Sequence, residues 1–189
     1  VFNMPLDMVT QIMRSRAKAV NFGIVYGIGA FSLAKDIGVS NKEAKHYIES
    51  YLAHYSGVDS YMINVVEKAN ADGYVETMFG RRRNLPELTS SKHMIRAFGE
   101  RVARNMPIQG TAADIIKIAM IKVDERMKAE NLRARLVLQV HDELIVEAPQ
   151  DESMRVALIV QEEMENAVKM SGPLTADAAI GRTWYDAKG

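Results

Sequence analysis

Four side chains recur at every fourth position: Arg14, Lys18, Phe22 and Tyr26. A helix turns about 100° per residue, so each step of four drifts by only about 40°. On one helix the four form a slowly winding stripe along roughly 18 Å of axis. Two cations followed by two aromatics suit a molecule with an anionic end and a flat end, such as a nucleoside triphosphate. Taken singly, Arg14 and Lys18 also read as solvated residues, and Phe22 and Tyr26 as core. The shared stripe, with Gly23 and Gly27 beside it, favours the ligand. Glycine in a helix body costs about 1 kcal/mol relative to alanine. Gly23 directly after Phe22 therefore predicts a group that approaches the backbone closely.

A second candidate is His141-Asp142-Glu143, set between the apolar runs 135–140 and 144–148. Adjacent carboxylates at a tight turn repel each other unless a cation sits there. A hard divalent ion such as Mg²⁺ takes oxygen ligands and usually one or two protein carboxylates. That suits phosphoryl transfer. Hairpin turns are ordinarily polar, so the triplet alone fits a plain solvated turn as well. His46, His54 and His93 share no metal-ligand spacing with it. His-Asp-Glu-Leu at 141–144 is internal and is not a retention signal.

The net charge is zero, but it is unevenly spread. Residues 81–104 carry seven Arg or Lys (Arg81, Arg82, Arg83, Lys92, Arg96, Arg101, Arg104) against Glu87 and Glu100, a net +5. Residues 140–165 carry eight acids against Arg155, a net −7. The first segment suits a polyanion and the second could hold cations, although solvated helix faces would look the same. Arg101 and Gln109 flank Pro107, and a planar guanidinium and an amide can both read minor-groove acceptors.

The elements that position these residues follow from caps and periodicity. Residues 4–9 predict a short helical turn with Pro5 near its start. Thr10 caps a helix to about Tyr26, which Gly27 and Gly29 end. A brief helix covers 30–38. Ser40 with Glu43 is a capping box for a helix to about His54, and another spans about 59–71. Residues 74–78 read as a strand, 79–83 as a turn and 84–88 as an irregular return. A helical pattern resumes at 91–104, breaks at Pro107, and continues over 111–130. Residues 135–140 and 144–148 predict an antiparallel pair. An acidic helix follows over 151–170, then a last strand over 174–180. The fold class is α+β: a helix-rich first half, then helices on a small antiparallel sheet.

The 189 residues contain no cysteine, which excludes disulfides and thiolate metal sites and fits a reducing compartment. No apolar run is long enough to span a membrane, and no secretory signal pattern opens the chain. The chain starts at Val1 in mid-pattern, and we expect it to be a piece of a longer protein.

In order, these segments closely resemble the C-terminal part of the polymerase domain of family A DNA polymerases, the bacterial DNA polymerase I type. Arg14, Lys18, Phe22, Gly23, Tyr26 and Gly27 match the nucleotide-binding motif on the fingers of that family. Gln139-Val140-His141-Asp142-Glu143 matches its palm motif. Arg101 with residues 105–114 resembles the intervening segment that meets the primer–template, and residues 80–83 after 74–77 fit the family as well. The resemblance covers essentially the whole chain. It implies fingers helices over 1–73 and part of the palm over 74–189. It implies that Arg14 and Lys18 grip the incoming dNTP, with Lys18 also catalytic. Phe22 would stack on the nucleotide, and Tyr26 would lie beside the template base. Asp142 and Glu143 would serve the catalytic Mg²⁺ site, and His141 would touch the primer end. Arg101, Asn105, Gln109, Arg96 and Arg81 would contact DNA. Replication and repair in the bacterial cytoplasm, at the nucleoid, follow from the same resemblance.

The family's first palm motif, with its other metal-binding aspartate, is not found among these residues. Two-metal catalysis needs both carboxylates, so the fragment alone is expected to be inactive and prone to self-association. The alternative is a polymerase-derived module that binds nucleotide or nucleic acid without chemistry. Asp142, Glu143 and Lys18 count against it, since binding alone does not require them.

Overall fold

The computed structural model describes residues 5–188, with the Leu6 side chain excluded. It divides into two compact units, Val1–Gln109 and Gly110–Gly189, and the α+β expectation holds for the chain.

In the first unit a short 3-10 helix, Leu6–Met8, precedes α1 (Gln11–Val25). Met4, included in the expected turn, lies outside the described residues. Thr10 caps α1, its hydroxyl accepting from the Met13 N–H at 3.3 Å. Then come α2 (Ala30–Ile37), closed by left-handed Gly38, and α3 (Asn41–His54). The predicted capping box is present: Ser40 accepts from Glu43 N–H at 3.2 Å, and Glu43 accepts from Ser40 N–H at 3.0 Å. The Ser40 hydroxyl also donates to the Glu43 carboxylate at 2.7 Å, and this bond, followed by the one from Ser40 N–H, holds the Glu43 carboxyl below its ordinary pKa. Val20, Ile24, Leu33, Ala34, Ile37 and Ala44 form the core of these three helices.

The fourth helix, α4 (Ser56–Asp72), begins three residues before the expected start and ends at left-handed Gly73. Two strands follow, β1 (Tyr74–Glu76) and β2 (Arg82–Asn84), paired antiparallel with Glu76 opposite Arg82. The arginine run is therefore mostly strand and not turn; of the expected return only Asn84 belongs to β2, and a short 3-10 helix, Pro86–Thr89, follows it. Cross-strand contacts explain the strand: the Arg82 guanidinium meets Glu76 at 3.2 Å and lies 4.4 Å over the Tyr74 ring. A second core gathers Ala69, Val75, Leu85, Leu88 and Ala103.

The helical pattern does not break at Pro107: α5 runs unbroken from His93 to Ala129. An internal proline removes one hydrogen bond and costs about 3 kcal/mol. Burial on both sides offsets that cost, with Ala103 before it and Ala119 and Val123 after it fully enclosed. In the second unit β3 (Arg135–Val140) and β4 (Glu143–Glu147) form the predicted hairpin, with an irregularity between Leu136 and Leu138. The acidic helix α6 is Ser153–Glu165, shorter than expected. Val123 and Met127 of α5 pack with Val156 and Ile159 of α6. Residues 174–180 form no strand; among the described residues no partner pairs with them. A four-residue helix, α7 (Trp184–Ala187), was not foreseen, although Thr183 and Asp186 have capping-box spacing and close the box.

Candidate functional site

The stripe exists as a surface on α1. Phe22 is 46% exposed and Tyr26 41%. Their rings stack at 6.2 Å between centroids, 18° from parallel. The Lys18 ammonium lies 5.7 Å from the Phe22 ring centre. Arg14 is exposed one turn earlier. Lys18, Phe22 and Tyr26 thus touch in sequence and leave an open face. The opposite face carries Val20 and Ile24 into the core, so α1 cannot turn the stripe inward without emptying that core.

The group that approaches Gly23 belongs to the chain itself. A Cβ on Gly23 would come within 2.7 Å of the Ile28 Cγ2. Ile28 N–H donates to the Gly23 carbonyl at 2.8 Å and Gly27 N–H to the Ile24 carbonyl at 2.9 Å. These are the two bonds of a Schellman ending, with left-handed Gly27 (φ 68°) and a hydrophobic contact from Ile28 back to Gly23. The close approach predicted from Gly23 is real, but it terminates the helix. Gly27 also faces α5: its Cβ would lie 3.5 Å from Arg101 Cγ and 3.6 Å from Arg104 Nη1. The end of the stripe and Arg101 are therefore neighbours. Gly27→Ala is expected to destabilise the first unit by about 1 kcal/mol, since a Cβ disfavours positive φ. Thermal unfolding checks it, and an unchanged midpoint would contradict the assigned conformation.

The other candidates in this unit differ in how they are held. Arg101 is exposed on α5, its guanidinium 5.9 Å from the Phe98 ring centre. Gln109 is exposed two turns further on. Asn105 lies between them, its Oδ1 buried without a hydrogen-bond partner among the described residues. Arg96 donates to the Ser90 carbonyl at 3.0 Å and so steadies the segment before α5. Arg81 follows a turn built on buried Thr77, whose hydroxyl accepts from Phe79 and Arg81 N–H groups, both at 3.2 Å.

In the second unit Val140 pairs with Glu143, so His141 and Asp142 alone form the turn. His141 takes a positive φ of 53°, and its carbonyl accepts from Gln139 Nε2 at 2.5 Å. Asp142 is exposed, and no described residue bonds to its carboxylate. Glu143 belongs to β4 and is engaged on both oxygens. Trp184 Nε1 donates to Oε2 at 3.1 Å, and Lys188 Nζ lies 3.2 Å from Oε1. Trp184 and Lys188 were missed because the strand expected over 174–180 hid the short helix after it. Among the described residues no group of three or more His, Asp or Glu could hold a metal by itself. The donors present still fit Mg²⁺, which needs only one or two protein carboxylates and takes other oxygens from phosphates and water.

Several other acids of this unit face the chain's own cations. Arg126 meets Glu162 at 2.7 Å and Glu163 at 2.8 Å, and Arg155 meets Glu130 at 2.6 Å. Arg133 meets Glu152 at 2.8 Å, and Asp151. The Arg155 guanidinium holds the Glu130 carboxyl below its usual range, and Glu163 leads in holding Arg126 protonated. Much of the acidic segment is thus neutralised by arginine.

These features have counterparts of known identity. The sequence model for DNA polymerase family A matches residues 1–186. DNA polymerase I of Bacillus caldotenax is 53% identical over 188 residues, covering 100% of this chain and 21% of its own length. DNA polymerase I of Bacillus subtilis is 52% identical, with the same coverage. A solved structure described as the POL domain of Pol1 from M. smegmatis, in complex with DNA primer–template and dNTP, superposes with a TM-score of 0.95. It is 45% identical, over 100% of this chain and 33% of that one. The chain spans about a fifth of the length of these curated relatives, and it belongs to DNA polymerase family A.

Proposed function

We propose that this chain forms the nucleotide-binding fingers and part of the palm of a DNA-directed DNA polymerase, which adds dNTPs to a primer 3′ end. The observation that carries it is the open, contiguous surface of Lys18, Phe22 and Tyr26 on α1, with Arg14 a turn before. Lys18 and Arg14 bind the triphosphate, Phe22 stacks on the nucleotide, and Tyr26 lies beside the template base. The M. smegmatis structure, described with primer–template and dNTP, supports these partners. Residues 1–73 serve as fingers and 74–189 as palm. Arg101, Asn105 and Gln109 test the minor groove, where both orientations of a pair present similar acceptors, so shape is checked without a sequence requirement. Arg96 and Arg81 add backbone contacts and His141 meets the primer end.

Asp142, with Glu143 beside it, would hold Mg²⁺. When bound, the ion would supply stabilisation of charge on the transferring phosphoryl group, in a site completed by a second carboxylate. With that carboxylate's motif not among these residues, the segment alone does not extend primers. Exposed Val137 and Leu138 on β3 and Ile121 on α5 support its self-association. Replication and repair in the bacterial cytoplasm, at the nucleoid, complete the reading.

Binding to a labelled primer–template tests it. Affinity should fall steeply between about 50 and about 200 mM salt, with log K losing about 0.9 per neutralised phosphate for each decade of salt. Absent or salt-insensitive binding would remove DNA as the partner.

A further inference from the structure

We infer that Trp184 and Lys188 are positioning residues for the Asp142 hairpin, acting through Glu143; this deepens the polymerase reading and rests on it. Glu143 is the first residue of β4, next to Asp142 in a turn of only two residues. A carboxylate fixed there fixes the end of the strand from which Asp142 projects. Two donors fix it, one on each oxygen: the Trp184 indole at 3.1 Å and the Lys188 ammonium at 3.2 Å. The two donors also touch each other, with Lys188 Nζ 4.8 Å from the Trp184 ring centre. The three side chains therefore form a closed set, and displacing one disturbs both of its neighbours.

The segment carrying the donors is itself built. Thr183 and Asp186 cap α7 reciprocally, with Thr183 N–H donating to Asp186 at 3.1 Å and Asp186 N–H to Thr183 at 3.2 Å. The chain doubles back so tightly that a Cβ on Gly181 would lie 2.6 Å from Ala187 N. Glu143, Trp184 and Lys188 all remain partly exposed. Exposed pairs contribute little to stability, so orientation is the property this arrangement supplies. Lys188 also places a cation against Glu143, whereas among the described residues no cation pairs with Asp142. Groups that orient a metal-binding carboxylate typically change activity by about 10- to 100-fold when removed.

Trp184 is the only tryptophan in the chain, so its fluorescence reports the contact directly. In the 189-residue chain, Glu143→Ala should shift the emission to the red and raise acrylamide quenching, with the far-UV circular dichroism unchanged. Unchanged emission and quenching would overturn the contact whatever the enzyme does. In the polymerase carrying this sequence, Trp184→Phe and Lys188→Met should each lower kcat by about 10- to 100-fold with little change in the dNTP KM. Lys188→Arg should restore most of the rate. Wild-type kcat in both variants would overturn the positioning role. If the fluorescence responds but Asp142→Asn extends primers normally, the polymerase reading of the hairpin fails and the contact stands.

Discussion

Lys18→Ala, in the polymerase carrying this sequence, should lower kcat/KM for dNTP by about 10²- to 10³-fold, the loss typical of removing one preorganised charge-stabilising donor. The ammonium is exposed on α1, and among the described residues no carboxylate pairs with it. The Phe22 ring lies beside it. A cation held beside an aromatic ring on an open helix surface is available to phosphate. Charge grows on the leaving phosphate as the bond breaks, so kcat should fall as well as KM rise. Stability should be nearly unaffected, within about 0.5 kcal/mol, because the side chain is on the surface. Steady-state single-nucleotide insertion measures the first effect and thermal unfolding the second. Unchanged kinetics would remove Lys18 from the triphosphate site.

The second large effect is at Asp142. Asp142→Asn should reduce primer extension by about 10³-fold or more, since metal stabilisation of phosphoryl transfer is worth several kcal/mol. Asparagine keeps the size of the side chain, and His141 is the turn residue that takes positive φ. The hairpin should therefore survive. Calorimetric titration with Mg²⁺ or Mn²⁺ should show weakened binding in the variant, while unfolding stays close to wild type. Extension at the wild-type rate would exclude Asp142 from the site.

How far such a site was legible depended on how local its signal was. The α1 stripe was readable because i, i+4 spacing maps directly onto one helix face, and the caps at Thr10, Ser40 and Gly38 are local chemistry. The β3–β4 hairpin was readable from its alternation and length. Pro107 misled because the local rule predicts a break, whereas tertiary burial of Ala103, Ala119 and Val123 holds the helix together. The strand expected over 174–180 failed for the converse reason: its composition suited a strand, but a strand needs a partner. Arg82 looked like a loop cation because its partners, Glu76 and Tyr74, lie across a strand pair that the triplet itself conceals. Gly23 was recognised as a point of close approach, but sequence alone did not identify Ile28 as the group approaching. Trp184 and Lys188 lie more than 40 residues from Glu143, and no periodicity connects them to it.

The ending of α1 has a mechanical consequence. Ile28 is clamped onto Gly23, and Val20 and Ile24 share one core with Leu33 and Ile37 of α2 and Ala44 of α3. Swinging α1 alone would tear that clamp and open that core. Any displacement of α1 would therefore have to carry α2 and α3 with it as one body. The glycines at 23 and 27 should then act as welds instead of joints.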